Sequence, residues 1–378
     1  MSTFSPHRPA PGRPLALRVD LALILTTALV AVMGVILVYS ATRSKLALAG
    51  VSTHYFLTRQ AAYVAVGVIV MTVLAVLDYR WLEHASAALY VGMVLALAAM
   101  FSGIGSSALG ATRWVQLGPI QLQPSSFATL VLIITVATFC ARRPQGLNLR
   151  DLCKVLALSA LPILLVLKQP DLGSAIVMCV VLLVMLVIAG LPNRHLLLLF
   201  VMTVTLVFAV VHLHLLKGYQ LNRLTSFAQP TKNLQSANYN VSQSVAAIGS
   251  GGWSGKGLFH GPQTNLAYVP EQQTDFIFSA LGEQLGFVGA AGVLALVGVM
   301  VWRLLRSAML ARDAFGRLLA TGCFTLVAFS VFENAGMAMR IMPVAGIPFP
   351  FLSYGGSATV AFFSAVGIAV SVRLRAAR

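Results

Sequence analysis

Two carboxylates, Glu271 and Asp275, lie within a five-residue window at the end of a long polar stretch. They stand out because the chain has only ten Asp and Glu residues among 378. The stretch runs from about Lys217 and closes with Pro270-Glu271-Gln272-Gln273-Thr274-Asp275-Phe276-Ile277-Phe278, where apolar sequence resumes. A carboxylate held where a polar segment meets a bilayer can take a proton from the hydroxyl of a lipid-linked molecule. Other residues could join such chemistry. Lys168-Gln169-Pro170-Asp171-Leu172-Gly173 sets a cation and an anion at a helix junction, and Asp171 is placed both to cap the following helix and to face a cavity. Glu283 falls inside an apolar run. A membrane-embedded acid costs about 2.5–3.5 kcal/mol on insertion scales, so Glu283 must face protein, as a cavity residue or as a hydrogen-bond partner of a neighbouring helix.

Weaker signals flank these. Gly110-Ala111-Thr112-Arg113-Trp114 puts a cation beside an aromatic that could equally anchor at the membrane interface. The run Gly249 to Gly257 has the density of a phosphate loop without its pattern, since Ser250 replaces the first glycine and Gly257 the hydroxyl residue after Lys256. Its glycines could still bring backbone N–H groups and Lys256 to an anion, or could simply be loop. Seven histidines are scattered, with no His-Glu-x-x-His, and four cysteines form no Cys-x-x-Cys pair. The residues specify no cofactor, although they leave room for a divalent cation.

The elements that position these groups are membrane helices. The chain is 58% hydrophobic and 10% charged, with a mean hydropathy of +0.86. Apolar runs long enough to span a bilayer recur throughout. We expect an all-α, polytopic bundle of ten transmembrane helices, at about 19–41, 60–77, 85–103, 124–141, 154–168, 172–191, 195–215, 276–303, 315–338 and 353–372. The fifth is short and holds Pro162, which predicts a kink or tilt. Leu21 to Val38 is too long for a signal-peptide core and reads as a retained first helix. Residues 1–18 form a cytoplasmic tail and 19–378 a single membrane domain, with an extracytoplasmic loop at about 216–275.

The net charge of +16 would suggest nucleic acid in a soluble protein. Here the basic residues lie between apolar runs and serve as topology signals and lipid-headgroup contacts; no nucleic-acid partner is expected. Arg142, Arg143, Arg303, Arg306, Arg312 and Arg317 fall on the side of the N-terminus, so both termini are predicted to be cytoplasmic. The candidate chemistry then gathers on the opposite face. Near the C-terminus, Pro343, Pro348 and Pro350 precede Ser353-Tyr354-Gly355-Gly356-Ser357, which predicts non-helical backbone at membrane depth lining a cavity.

Taken together, these stretches resemble the SEDS family (shape, elongation, division and sporulation), typified by RodA and FtsW. The resemblance is carried by Gly110–Trp114, Gln123-Pro124-Ser125, Gln169–Gly173, Tyr239 to Gly257, Gly261-Pro262-Gln263, Pro270 to Phe278, Glu283 with Gly286, Asn334–Met337 and Pro343 to Ser357, in family order over nearly the whole chain. Pro343-Val344-Ala345-Gly346-Ile347-Pro348 is closer to the RodA branch than to the FtsW branch. The resemblance implies a bacterial plasma-membrane enzyme that polymerises lipid II into glycan strands during elongation and shape maintenance. It also implies a class B penicillin-binding protein as crosslinking partner, within a complex of elongation membrane proteins. Asp275 matches the family's essential aspartate, and Trp114 and Asp171 match residues of its central cavity. Arg113, Lys168, Lys256, Gln263 and Glu283 complete the expected substrate-binding set.

Two departures accompany the match. The family has Glu and Lys where this chain has Ser126 and Thr129, an acid and a base lost together from one helix face, which suggests a structural pair. Arg340 stands where the family has a small or apolar residue; Glu333, on roughly the same helix face, could partly balance it. Other readings are a lipid II flippase, a scaffold that only recruits the crosslinking enzyme, or a division-specific polymerase. A transporter would carry polar groups through the full membrane depth, whereas here they crowd toward one side.

Overall fold

The computed structural model describes residues 20–101, 106–108, 111–117, 120–143, 146–212 and 237–376. Ten long helices run back and forth: α1 (Leu21–Leu48), α2 (Tyr55–Val76), α3 (Arg80–Ala99), α4 (Pro124–Ala141), α5 (Leu149–Lys168), α6 (Leu172–Ile188), α7 (Asn193–His212), α10 (Ile277–Met309), α11 (Ala314–Ala338) and α12 (Gly356–Ala376). Seven of them are long and apolar enough to cross a membrane on their own; α6 and the described part of α7 are shorter apolar helices, and α5 is more amphipathic. The chain is a polytopic membrane protein of nearly all-helical fold.

Two expectations about the connections need correction. The segment between α3 and α4 carries a small antiparallel sheet, β1 (Ser106–Ala108), β2 (Ala111–Leu117) and β3 (Ile120–Leu122), in the order β1-β2-β3. The polar stretch after α7 is not all loop: it contains α8 (Ala237–Gly251) and the short α9 (Pro262–Asn265). Residues 213–236, including Lys217 and Arg223, lie outside the described residues, as does the tail before Asp20. The fifth helix starts earlier than expected, at Leu149, because Asn148 caps it by accepting from the Asp151 N–H at 2.9 Å; Pro162 lies inside the continuous helix.

One end of the bundle is held by ion pairs. Asp20 caps α1 and is clasped by Arg303 from α10 at 2.6 Å and Arg373 from α12 at 3.2 Å. Arg80–Asp313, Arg142–Glu83, Arg143–Asp151 and Arg375–Asp78 lie at the same end. Burial alone would raise the Asp313 pKa, but the Gly316 N–H, the Tyr79 hydroxyl and Arg80 together hold it below the ordinary value. The other five carboxylates, Asp171, Glu271, Asp275, Glu283 and Glu333, belong to the opposite end. Carboxylates are thus divided between a stapled face and a face where they meet mostly neutral donors.

The helices close on one another through glycine. A Cβ on Gly322 of α11 would strike Ile133 of α4 and Met185 of α6, so the three helices pack closely there. Gly173, in the first turn of α6, lets the carbonyl of Ala345 approach to where a Cβ would be 2.6 Å away. That approach folds the 343–355 segment back between helix ends, as the prolines predicted.

Candidate active site

Asp275 ends the turn that leads into α10, and Phe276 is the N-cap of that helix. Its N–H donates to the Glu271 carbonyl at 3.0 Å. Its own carbonyl accepts from Asn334 Nδ2 on α11 at 2.7 Å, and the same amide donates to the Ile347 carbonyl at 2.8 Å. A second link joins the same segments, Tyr354 N–H to the Gln273 carbonyl at 2.8 Å. The half-buried Asp275 carboxylate lies against Gly346, whose φ of +75° and lack of a side chain leave room for it: a Cβ there would be 3.4 Å from Oδ2.

Asp171 occupies a separate wall of the same cavity. It caps α6, accepting from the Ser174 N–H at 3.3 Å and hydroxyl at 2.8 Å. It also accepts from Ser125 Oγ at 2.9 Å and Gln123 Nε2 at 3.2 Å. Gln123 in turn accepts from the Trp114 indole at 3.3 Å. The capping and cavity roles of Asp171 are therefore one arrangement. Hydrogen bonds link the sheet, the start of α4 and the start of α6 into a fixed rim.

The cavity between these walls has a volume of about 610 Å³, within the ordinary range for a ligand site. Asp275, Asp171 and Trp114 all line it. Tyr354 joins them, and its phenol is a hydrogen-bond donor available to a ligand. Among the described lining residues the one cation is Lys45, at the end of α1.

Other expected residues are placed elsewhere. Glu283 is fully buried and accepts from the backbone N–H groups of Gln263 at 2.7 Å and Thr264 at 2.9 Å, and from the Thr264 hydroxyl at 2.6 Å. It caps α9 and does not line the cavity, and neither does Gln263. Lys168 sets its ammonium over the Phe101 ring at 4.9 Å. The side chain of Arg113, in β2, lies outside the described ones.

Lys256 is exposed, and the glycine run around it has a structural role. Gly286 breaks α10 with φ 65° and ψ −167°. The carbonyls of Glu283 and Gln284 accept from the N–H groups of Lys256 and Gly257 at 3.0 Å each. In return Phe287 and Val288 donate to the carbonyls of Gly252 and Trp253 at 2.8 and 3.1 Å. A Cβ on Gly251, Gly255 or Gly286 would collide with the facing backbone. These glycines therefore repair a broken helix, and the Lys256 and Gly257 N–H groups are already spent on it.

Sequence reasoning passed over Lys45, since it ends an apolar run and belongs to no motif. It quoted Asn334 without a role, because only the fold shows which carbonyls meet its amide. Ser126 and Thr129 both line the cavity, so the acid and base lost together there leave its net charge unchanged and put two neutral hydroxyls in its wall. Arg340 donates to Ser242 Oγ of α8 at 2.7 Å.

Comparison with known proteins agrees with this architecture. The FtsW/RodA/SpoVE family model, described as cell cycle protein, matches residues 20–377. FtsW of Geobacter metallireducens is 34% identical over 361 residues, 95% of each chain. The peptidoglycan glycosyltransferase MrdB of Escherichia coli K12 is 37% identical over 314 residues, covering 83% of this chain and 84% of that one. Among solved structures, a chain of a peptidoglycan synthase complex that coordinates polymerization and crosslinking superposes with a TM-score of 0.79 and 28% identity, over 94% of this chain and 97% of that one. The rod shape determining protein RodA of Thermus thermophilus superposes with a TM-score of 0.69 and 28% identity, over 95% and 98% of the two chains. With nearly every described helix matched in sequence and in space, the chain belongs to the FtsW/RodA/SpoVE family.

Proposed function

We propose that this protein is a peptidoglycan glycosyltransferase that polymerises lipid II, with Asp275 as its base. The observation that carries this reading is the setting of Asp275. It stands at a loop–helix junction with its backbone pinned from two sides, and it lines a cavity of about 610 Å³. In the reaction, the 4-hydroxyl of a GlcNAc attacks the anomeric carbon of a MurNAc. Asp275 accepts the hydroxyl proton, a new C–O bond forms, and the bond to the lipid diphosphate breaks with its electron pair leaving on phosphate. In-line displacement inverts the anomeric centre. Lys45 and the Tyr354 phenol supply a cation and a donor for the departing diphosphate; Arg113 remains a further candidate.

The cavity end of the bundle is then extracytoplasmic, the ion-pair end and both termini are cytoplasmic, and the membrane is the bacterial plasma membrane. The excess of Arg at the ion-pair end supports this orientation. A class B penicillin-binding protein is the proposed crosslinking partner, in keeping with the synthase complex that this chain resembles. The Pro343–Pro348 segment favours a role in elongation. A transporter reading loses ground because the acids outside the ion pairs gather at one end of the bundle. The test is glycan polymerisation by purified protein supplied with lipid II, with and without the partner. Strand synthesis supports the reading; lipid II translocation without synthesis opposes it.

A further inference from the structure

The deep end of the cavity is built differently from its rim. At the rim, Ser125 and Ser174 spend their hydroxyls on Asp171. The cavity is also lined by Ser126, beside Ser125 in the first turn of α4, by Thr129 one turn deeper and by Ser330 of α11, with Val177, Leu326 and Phe362 as apolar walls. Ser330 lies eight residues before the end of α11, about 12 Å below the helix end at 1.5 Å per residue.

Ser330 is 1% exposed, and its Oγ has no hydrogen-bond partner. This is not how the chain treats its other helical hydroxyls. On the same helix, Thr321 and Thr325 donate to the carbonyl four residues back at 2.8 and 2.9 Å. On α4, Thr135 and Thr138 do likewise at 2.8 and 2.9 Å. Ser126 and Thr129 make no such bond among the described residues. A buried hydroxyl without a partner is costly, and more so at membrane depth. Three uncommitted hydroxyls therefore line the same cavity, with apolar side chains among their neighbours.

Resting on the polymerase reading above, we propose that Ser330, Thr129 and Ser126 form a subsite for the acetamido group of an amino sugar of the substrate. The hydroxyls can donate to its carbonyl and accept from its N–H, while the methyl group packs against Val177, Leu326 and Phe362. The subsite selects N-acetylated sugar over the free amine, which lacks the carbonyl and the methyl group that these residues hold. These residues bind and orient; they take no part in proton transfer.

The test uses purified full-length protein and two lipid-linked disaccharides, one N-acetylated and one carrying free amines. The wild type is expected to prefer the acetylated substrate in kcat/KM. Ser330→Ala, and separately the isosteric Thr129→Val, should each raise KM for that substrate about 3- to 10-fold, the worth of one neutral hydrogen bond. Each should leave kcat nearly constant and shrink the preference by the same factor. A role confined to packing would lower thermal stability without moving the preference. Wild-type polymerisation without N-acetyl preference, or variants that keep the wild-type KM and preference, would overturn the subsite alone. Absence of polymerisation with either substrate would instead overturn the polymerase reading, and the subsite with it.

Discussion

Asn334 of α11 donates one amide proton to the carbonyl of Asp275 at 2.7 Å and the other to the carbonyl of Ile347 at 2.8 Å. One fully buried side chain thus ties the candidate base to the segment packed against it. Asn334→Ala leaves two carbonyls without their donor, a loss of about 1–3 kcal/mol. We expect a measurable fall in the melting temperature and a drop in kcat of about ten-fold or more, because Asp275 is no longer held in place. Unaltered kcat in the folded variant would show that this tie does not matter to the reaction.

Gly346 makes a sharper probe, since it touches the carboxylate itself. A Cβ there would be 3.4 Å from Asp275 Oδ2, on a residue with φ of +75°. Gly346→Ala should cost about 1 kcal/mol in stability. Activity should fall by more than that stability loss explains, which parallel melting and polymerisation measurements would reveal.

Glu283 tests the opposite kind of role. Its three accepted hydrogen bonds all serve α9. Glu283→Gln loses acceptor capacity where two backbone N–H groups need it, and the melting temperature should fall. At a temperature where the variant stays folded, KM for lipid II should be close to wild type. A stable variant with a greatly raised KM would restore Glu283 to the substrate-binding set.

Asp313 gives the stapled face its own pH signature. Its pKa is held below the ordinary carboxylate value, so its stabilising contribution is present above the unfolded-state pKa, about 3.9, and is lost as pH falls through the lower folded value. Asp313→Asn should melt lower than wild type at pH 7, and the two should converge in strong acid. A gap that persists unchanged below pH 3 would assign the effect to shape rather than charge.

Much of this was legible in the chain itself. Apolar runs mark ten helices because crossing a bilayer takes a long apolar stretch, and only their ends shifted, where caps such as Asn148 and Asp313 set the first turn. Asp275 and Asp171 were legible because a carboxylate in an apolar chain demands a reason. The small sheet was not, since its short strands are irregular and carry no clear alternation. Nor was the part played by Gly251, Gly255 and Gly286: glycine spacing looks the same whether the backbone approaches an anion or another strand of backbone. The cavity lining of Lys45 and Ser330 depends on which helices pack together, and local pattern does not encode that.

The central claim is that Asp275 takes the proton from the acceptor hydroxyl. Asp275→Asn keeps size and hydrogen-bonding capacity while removing basicity. The decisive measurement is the initial rate of glycan-strand formation by purified wild-type and Asp275→Asn proteins with lipid II, at matched folded fractions. The account predicts a rate lower by about 10²–10⁴-fold, with an unchanged melting temperature and unchanged partner binding. A variant that builds strands within a few-fold of the wild-type rate would contradict it.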